Sequence, residues 1–288
     1  YITIIMLSNI NSRSVIRYTP MQQRIYSCDR DIILRQIERN RLSGQCIHFD
    51  NQISVAEQIK TFLQNPKMVT GMVIGRTQSG KTGIMTAFLE TYFSDETNII
   101  PVENIYIITG LSDKEWLDQM KERTPDSLRD RVFHRDNLNS SFVNEILGKE
   151  NILIIMDEIQ IAAKENQTLC KTFHEAGLYN KENVLKRDIK IIEFTATPDG
   201  TIYDIMKWTE NSFKILMEPG RSYTSSNDLF QSGRVKQYKD LCGYDKKKGT
   251  VDFERIEPNI LEIKHLIERF SENLYHIIRT PTGHLSDV

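Results

Sequence analysis

Apolar residues along this chain fall into two kinds of segment. Some are short unbroken runs, and others are longer stretches in which apolar positions recur at helical spacing. The runs are Met68–Ile74, Asn104–Thr109, Ile152–Met156 and Ile189–Thr195, with Val132–His134 as a shorter candidate. Continuous runs, rather than runs alternating with polar residues, predict strands covered on both faces, and therefore a parallel sheet with helices packed on each side. Helical spacing appears in Asp31–Arg41 (Ile32, Ile33, Leu34, Ile37), Val55–Leu63, Gly83–Leu89, Asp113–Arg123 (Trp116, Leu117, Met120), Phe142–Leu147 and Thr168–Ala176. Pro20, Gly44 and Pro66 read as breakers. From residue 68 onward strand and helix alternate, which predicts an α/β fold.

Residues 219–255 change character. Pro219, Gly220, Gly233, Gly243 and Gly249 surround the run Lys246-Lys247-Lys248, a pattern that reads as a linker or an inserted hairpin. Ile260–Phe270 is then an amphipathic helix and Leu274–Arg279 a strand, the opening of another α/β unit. Because the chain stops at Val288, a truncated second lobe is expected. The expected organisation is an N-terminal extension (1–45), a nucleotide-binding lobe (46–217), a linker or hairpin (218–256) and the beginning of a second lobe (257–288).

Composition narrows the class. With 288 residues, 39% hydrophobic and 26% charged, the chain can bury one large core or two medium ones. A formal charge of −2 leaves no overall electrostatic footprint for nucleic acid, although a local basic groove is compatible with it. The four cysteines, Cys28, Cys46, Cys170 and Cys242, form no C-x-x-C pair, which argues against zinc and disulfides and fits a reducing, intracellular compartment. No apolar run reaches the roughly 20 residues of a membrane span, and Tyr1–Leu7 lacks the basic flank and length of a signal segment.

The candidate chemistry begins at Gly75-Arg76-Thr77-Gln78-Ser79-Gly80-Lys81-Thr82, a full match to G-x-x-x-x-G-K-[ST] lying between a predicted strand and a predicted helix that opens at Gly83. Glycines let such a loop turn tightly, and backbone N–H groups at a helix N-terminus favour phosphate. Lys81 would reach the β- and γ-phosphates of ATP and the Thr82 hydroxyl would bind Mg²⁺. A chance Gly-Lys-Thr turn does not explain the flanking strand and helix. Asp157-Glu158 directly follows the 152–156 strand. Such a pair is commonly a solvated strand exit. At the C-terminal end of a buried parallel strand, Asp157 would hold Mg²⁺ and Glu158 would polarise the attacking water. Thr195-Ala196-Thr197-Pro198 ends the next strand, where the hydroxyls either serve the site or cap a helix near Pro198.

The order of these segments resembles the first motor lobe of superfamily 2 helicases and translocases of the DEAD-like group. It covers the phosphate loop, the strand ending Thr109-Gly110, Asp157-Glu158-Ile159-Gln160, and Thr195-Ala196-Thr197-Pro198, roughly residues 50–217. The nearest look is to restriction-associated and large-DNA-virus ATPases. The resemblance implies a RecA-like P-loop NTPase fold that hydrolyses ATP with Mg²⁺ and moves on DNA or RNA, with arginine fingers supplied by a second lobe. Gln160, Thr195 and Thr197 would couple hydrolysis to movement. Thr109 and Gly110 would touch the nucleic-acid backbone. An adenine-reading glutamine is expected at Gln52 or Gln58. Tetrapeptide 157–160 departs from both Asp-Glu-Ala-Asp and Asp-Glu-x-His, so neither named subclass is supported. The rival function is a P-loop ATPase acting on protein or in DNA packaging. The arginines at 123, 129, 131 and 135 interleave with Asp126, Asp130 and Asp136, the pattern of a salt-bridged surface rather than a phosphate track.

Overall fold

Six strands pair into one sheet in the computed structural model, which describes residues 20–44, 48–95, 100–110, 114–157, 168–196, 208–233, 244–245, 249–251 and 253–269. The strands are β1 (Thr70–Ile74), β2 (Ile105–Thr109), β3 (Val132–His134), β4 (Ile152–Asp157), β5 (Ile189–Thr195) and β6 (Ser212–Leu216). Their order across the sheet is β3-β2-β4-β5-β1-β6, and every adjacent pair is parallel. The helices are α1 (Pro20–Leu42), α2 (Asp50–Gln64), α3 (Lys81–Phe93), α4 (Lys114–Arg123), α5 (Ser140–Ile146), α6 (Thr168–Glu175) and α7 (Lys181–Lys186). A mixed α/β architecture with a parallel sheet between helices is thus observed as expected.

Two hydrophobic clusters coat the sheet. The first holds Ile33, Ile37, Val55, Ile59, Ile84 and Phe88 of α1–α3 against Val73, Ile107, Leu153, Ile155, Ile192 and Phe194. The second holds Phe142, Leu169, Phe173 and Val184 of α5–α7 against Tyr106, Ile108, Ile154, Met156 and Ile191. Strand residues alternate between the clusters, so each strand position has a face. Every residue of β2, β4 and β5 is buried, the reason those segments lack polar alternation.

Several boundaries differ from the pattern. Pro20 opens α1 instead of breaking it, because proline is tolerated in the first helical turn where its missing N–H is no loss. Helix α1 overlaps the segment read as an N-terminal extension, yet it places Ile33 and Ile37 in the first cluster. Strand β6 was not predicted. It lies at the sheet edge with Lys214 and Leu216 exposed, so it lacks a continuous apolar run. Helix α7 is short and begins at an Asn180 cap, whose side chain accepts from Asn183 N–H at 3.1 Å.

The chain divides into two compact units, Tyr1–Tyr223 and Thr224–Val288. In the second, α8 (Ser226–Gln231) is opened by a capping box between Ser225 and Asp228. Strands β7 (Tyr244–Asp245) and β8 (Thr250–Val251) pair antiparallel. Helix α9 (Phe253–Arg269) begins earlier than Ile260 and contains Pro258. The predicted strand at 274–279 lies outside the described residues.

Candidate active site

Three strand ends meet at one edge of the sheet. The chain leaving β1 goes to β2 on one side, and the chain leaving β5 next enters the sheet as β6 on the other side of β1. Opposite departures from adjacent parallel strands open a crevice at their C-terminal ends, where ligands bind in open α/β sheets. The phosphate loop, Asp157 and Thr195 all lie at that edge. In register, Ile74 pairs with Thr195, and Asp157 pairs with Phe194. One strand therefore separates the phosphate strand from the Asp157 strand, a spacing of about 10 Å.

The loop is built by its backbone. Gly75 N–H donates to the Thr195 carbonyl at 3.0 Å, and Ser79 N–H donates to the Arg76 carbonyl at 3.1 Å. Gln78 and Gly80 adopt left-handed backbone, with φ of 58° and 90°. That conformation is cheap for Gly80 and carries strain at Gln78. Gly80 is the N-cap of α3 and has no side chain to cap it. The first turn of α3 thus presents its N–H groups and the positive end of its dipole toward the loop. Lys81 follows, buried, with its ammonium donating to the Arg76 carbonyl at 3.3 Å, folded back within the loop. Thr82 and Gly83 are half-buried in the same turn. Arg76, Thr77 and Gln78 are exposed at the apex. A helix N-terminus without a side-chain cap, next to an inward-folded ammonium, matches the donor set a polyphosphate needs.

Gln52 is distinguished from Gln58 by position. Gln58 is exposed and donates only to the Ser54 carbonyl of its own helix, at 3.3 Å. Gln52 is buried between α2 and the loop. Its Oε1 accepts from Phe49 N–H at 2.9 Å, and its Nε2 donates to the Gly80 carbonyl at 2.9 Å. A Cβ added at Gly83 would lie 2.3 Å from that Nε2. A side chain at position 83 would therefore have to displace the Gln52 amide. Gln52 ties the loop's last turn to the start of α2.

Asp157 is buried at the end of β4. By strand alternation with Leu153 and Ile155 it faces the first cluster, the side on which α3 lies. Its carbonyl accepts from Gly110 N–H at 3.0 Å, joining the ends of β2 and β4. Thr109 is its register partner on β2, on the same face and fully buried, and its hydroxyl has no hydrogen-bond partner among the described residues. Its neighbours are therefore Asp157 and the α3 side of the sheet. Gly110 is likewise buried. A carboxylate at a strand end, on the side of the sheet where α3 lies, is the kind of oxygen donor that Mg²⁺ takes. Thr195 is fully buried and, by alternation with Ile189 and Ile191, faces the second cluster, away from Asp157. Glu158, Gln160 and Thr197 lie outside the described residues. Two of the arginines after β2 sit in ion pairs: Arg129 with Asp126 at 2.9 Å, and Arg131 with Glu145.

Two further residues at this edge belong to none of the sequence motifs. Tyr223, following β6, donates its hydroxyl to the Thr77 carbonyl at 3.0 Å. Glu193 lies two residues before the end of β5, in register with Met156 and Met72, and faces the second cluster. Burial alone pushes its carboxyl up to about 8. An acidic residue inside the apolar run 189–195 was the available signal for Glu193. Tyr223 had none, since its contact spans 146 residues of sequence.

No protein-family model matches the chain, and no curated protein matches it. Among solved structures, domain III of the Thermotoga maritima replication initiation protein DnaA is similar at 10% identity and a TM-score of 0.37, over 85% of this chain and 92% of that one. C. elegans PCH-2 is similar at 14% identity and a TM-score of 0.33, over 79% of this chain and 60% of that one. No assignment rests on either.

Proposed function

We propose that this chain is an ATP-binding and ATP-hydrolysing lobe of a nucleic-acid helicase or translocase. The observation that carries the nucleotide reading is the uncapped N-terminus of α3, with Lys81 folded into the loop and Asp157 on the α3 side of the sheet, β5 alone lying between its strand and the phosphate strand. Lys81 and the loop amides bind the phosphates. Thr82 and Asp157 hold Mg²⁺, which would neutralise charge on the β- and γ-oxygens. Glu158, next in sequence, orients the attacking water. The motor reading rests on the motif order ending in Thr195-Ala196-Thr197-Pro198, with Gln160 and Thr197 as coupling residues.

The burial of Thr109 and Gly110 favours a second reading at one point. Groups without exposed surface do not suit a nucleic-acid backbone contact, so an ATPase remodelling protein fits this edge as well. The test is ATPase activity measured with single-stranded DNA, with RNA, and with neither. Stimulation by one of the nucleic acids, abolished by Lys81→Ala, with ATP trapped by Glu158→Gln, is expected of the motor. Activity indifferent to both nucleic acids, yet lost in Lys81→Ala, overturns the motor and keeps the ATPase.

A further inference from the structure

The chain leaving β6 wraps back over the phosphate loop. Met217 N–H donates to the Ile74 carbonyl at 2.8 Å, so the segment starts level with the beginning of the loop. Ser79 Oγ lies 3.5 Å from Met217 Sδ. Asn51 Nδ2, at the start of α2, donates to the Glu218 carbonyl at 3.0 Å. A turn closed by Tyr223 N–H to the Gly220 carbonyl, at 2.9 Å, then returns the chain toward the loop apex. There the Tyr223 hydroxyl donates to the Thr77 carbonyl at 3.0 Å, and the Arg76 guanidinium stands 6.0 Å from the ring centroid.

We propose that Tyr223 is a positioning residue for phosphate binding: by holding the Thr77 carbonyl it aims the N–H of Gln78 into the loop. The peptide group joining Thr77 to Gln78 is planar and trans, so its C=O and N–H point in opposite directions. A carbonyl fixed toward Tyr223 sends the Gln78 N–H away from Tyr223. Gln78 is in left-handed backbone, a conformation that persists only where its surroundings hold it. Glycine is absent from positions 76–79, so the apex has no residue that adopts this turn freely. The tyrosine hydrogen bond and the Arg76–ring contact brace the apex, and the Lys81 ammonium holds the neighbouring Arg76 carbonyl. The inference rests on the nucleotide reading above and adds to it a residue far from every recognised motif.

The experiment is equilibrium binding of a fluorescent ADP analogue, and its displacement by inorganic pyrophosphate, to the whole chain with Mg²⁺. Wild type is compared with Tyr223→Phe, which removes only the hydroxyl. Losing one neutral hydrogen bond that orders a loop corresponds to about a five-fold loss of affinity. That loss is expected for both the analogue and pyrophosphate, with the unfolding midpoint unchanged. Equal affinities for wild type and Tyr223→Phe overturn the inference and leave the nucleotide reading standing. A loss confined to the analogue, with pyrophosphate unaffected, also overturns it, since the hydroxyl then serves the nucleoside. A fall in unfolding midpoint that accompanies unchanged affinity assigns the bond to stability alone and overturns it too. Wild type that binds neither ligand overturns the nucleotide reading and this inference together.

Discussion

Asp157 and Glu193 are both buried carboxyl residues near the same sheet edge, yet they face opposite sides. Asp157 ends β4 and looks toward α3, where the phosphate loop supplies positive charge from Lys81 and the helix N-terminus. Glu193 sits one residue lower on the neighbouring strand, among Met156, Met72 and the second cluster. Burial drives its pKa up to about 8, so it is largely neutral at pH 7. The same functional group is a candidate ligand on one face and a cost to stability on the other. What differs is one step along a strand and the partners that the face provides.

The largest expected effect tests the Glu193 side. A carboxyl that titrates near 4.5 unfolded and about 8 folded binds its proton more tightly in the native state. Stability is therefore full below about pH 4.5 and falls as pH rises through about 8. The loss amounts to at most about 5 kcal/mol. Denaturant unfolding at pH 5 and pH 9 should show this fall in wild type, and Glu193→Gln should remove most of it. A pH-independent stability in wild type would erase the contrast between the two carboxyls.

Next in size is the catalytic side. Asp157→Asn should reduce Mg²⁺-dependent ATP hydrolysis by on the order of 100-fold or more while the fold persists. Glu193→Gln should leave hydrolysis within about two-fold of wild type, as a group outside the charge-stabilising site does. A comparable loss from both variants, read by steady-state kinetics, would mean the two faces are not functionally distinct.

A smaller effect concerns the loop's attachment. Gly83→Ala drives a methyl against the Gln52 amide, and overpacking of this kind costs about 1–3 kcal/mol. Adding Gln52→Ala should recover part of that stability, a non-additivity measurable in a double-mutant cycle. Strict additivity would show that Gln52 does not press on α3. The smallest effect is at Thr109. Replacing this buried hydroxyl, which has no partner among the described residues, with the methyl of valine should raise stability by about 1 kcal/mol. A destabilised Thr109→Val, measured by thermal unfolding, would mean the hydroxyl has a role in holding the Asp157 edge together.

Much of this arrangement was legible along the chain. The buried strands 105–109, 152–157 and 189–195 announce themselves because residues covered on both faces need no polar alternation. The phosphate loop is legible because its chemistry is local: glycine, lysine and a hydroxyl residue at fixed spacing, between a strand and a helix. Strand β6 was not legible, since an edge strand exposes every second residue and resembles a surface loop. The choice between Gln52 and Gln58 was open, because the two differ only in which residue meets a segment 28 positions away.

By itself, then, the amino-acid order determined the strands of the sheet other than β6 and the candidate residues for phosphate and metal, because periodicity and motif spacing are properties of neighbouring residues. The tertiary structure alone decided that β5 lies between β1 and β4, that Asp157 and Thr109 share a face, and that Tyr223 reaches Thr77. Those outcomes depend on which strands pair and how a connection returns across the sheet. Such contacts join positions tens of residues apart, and no local window of sequence carries them.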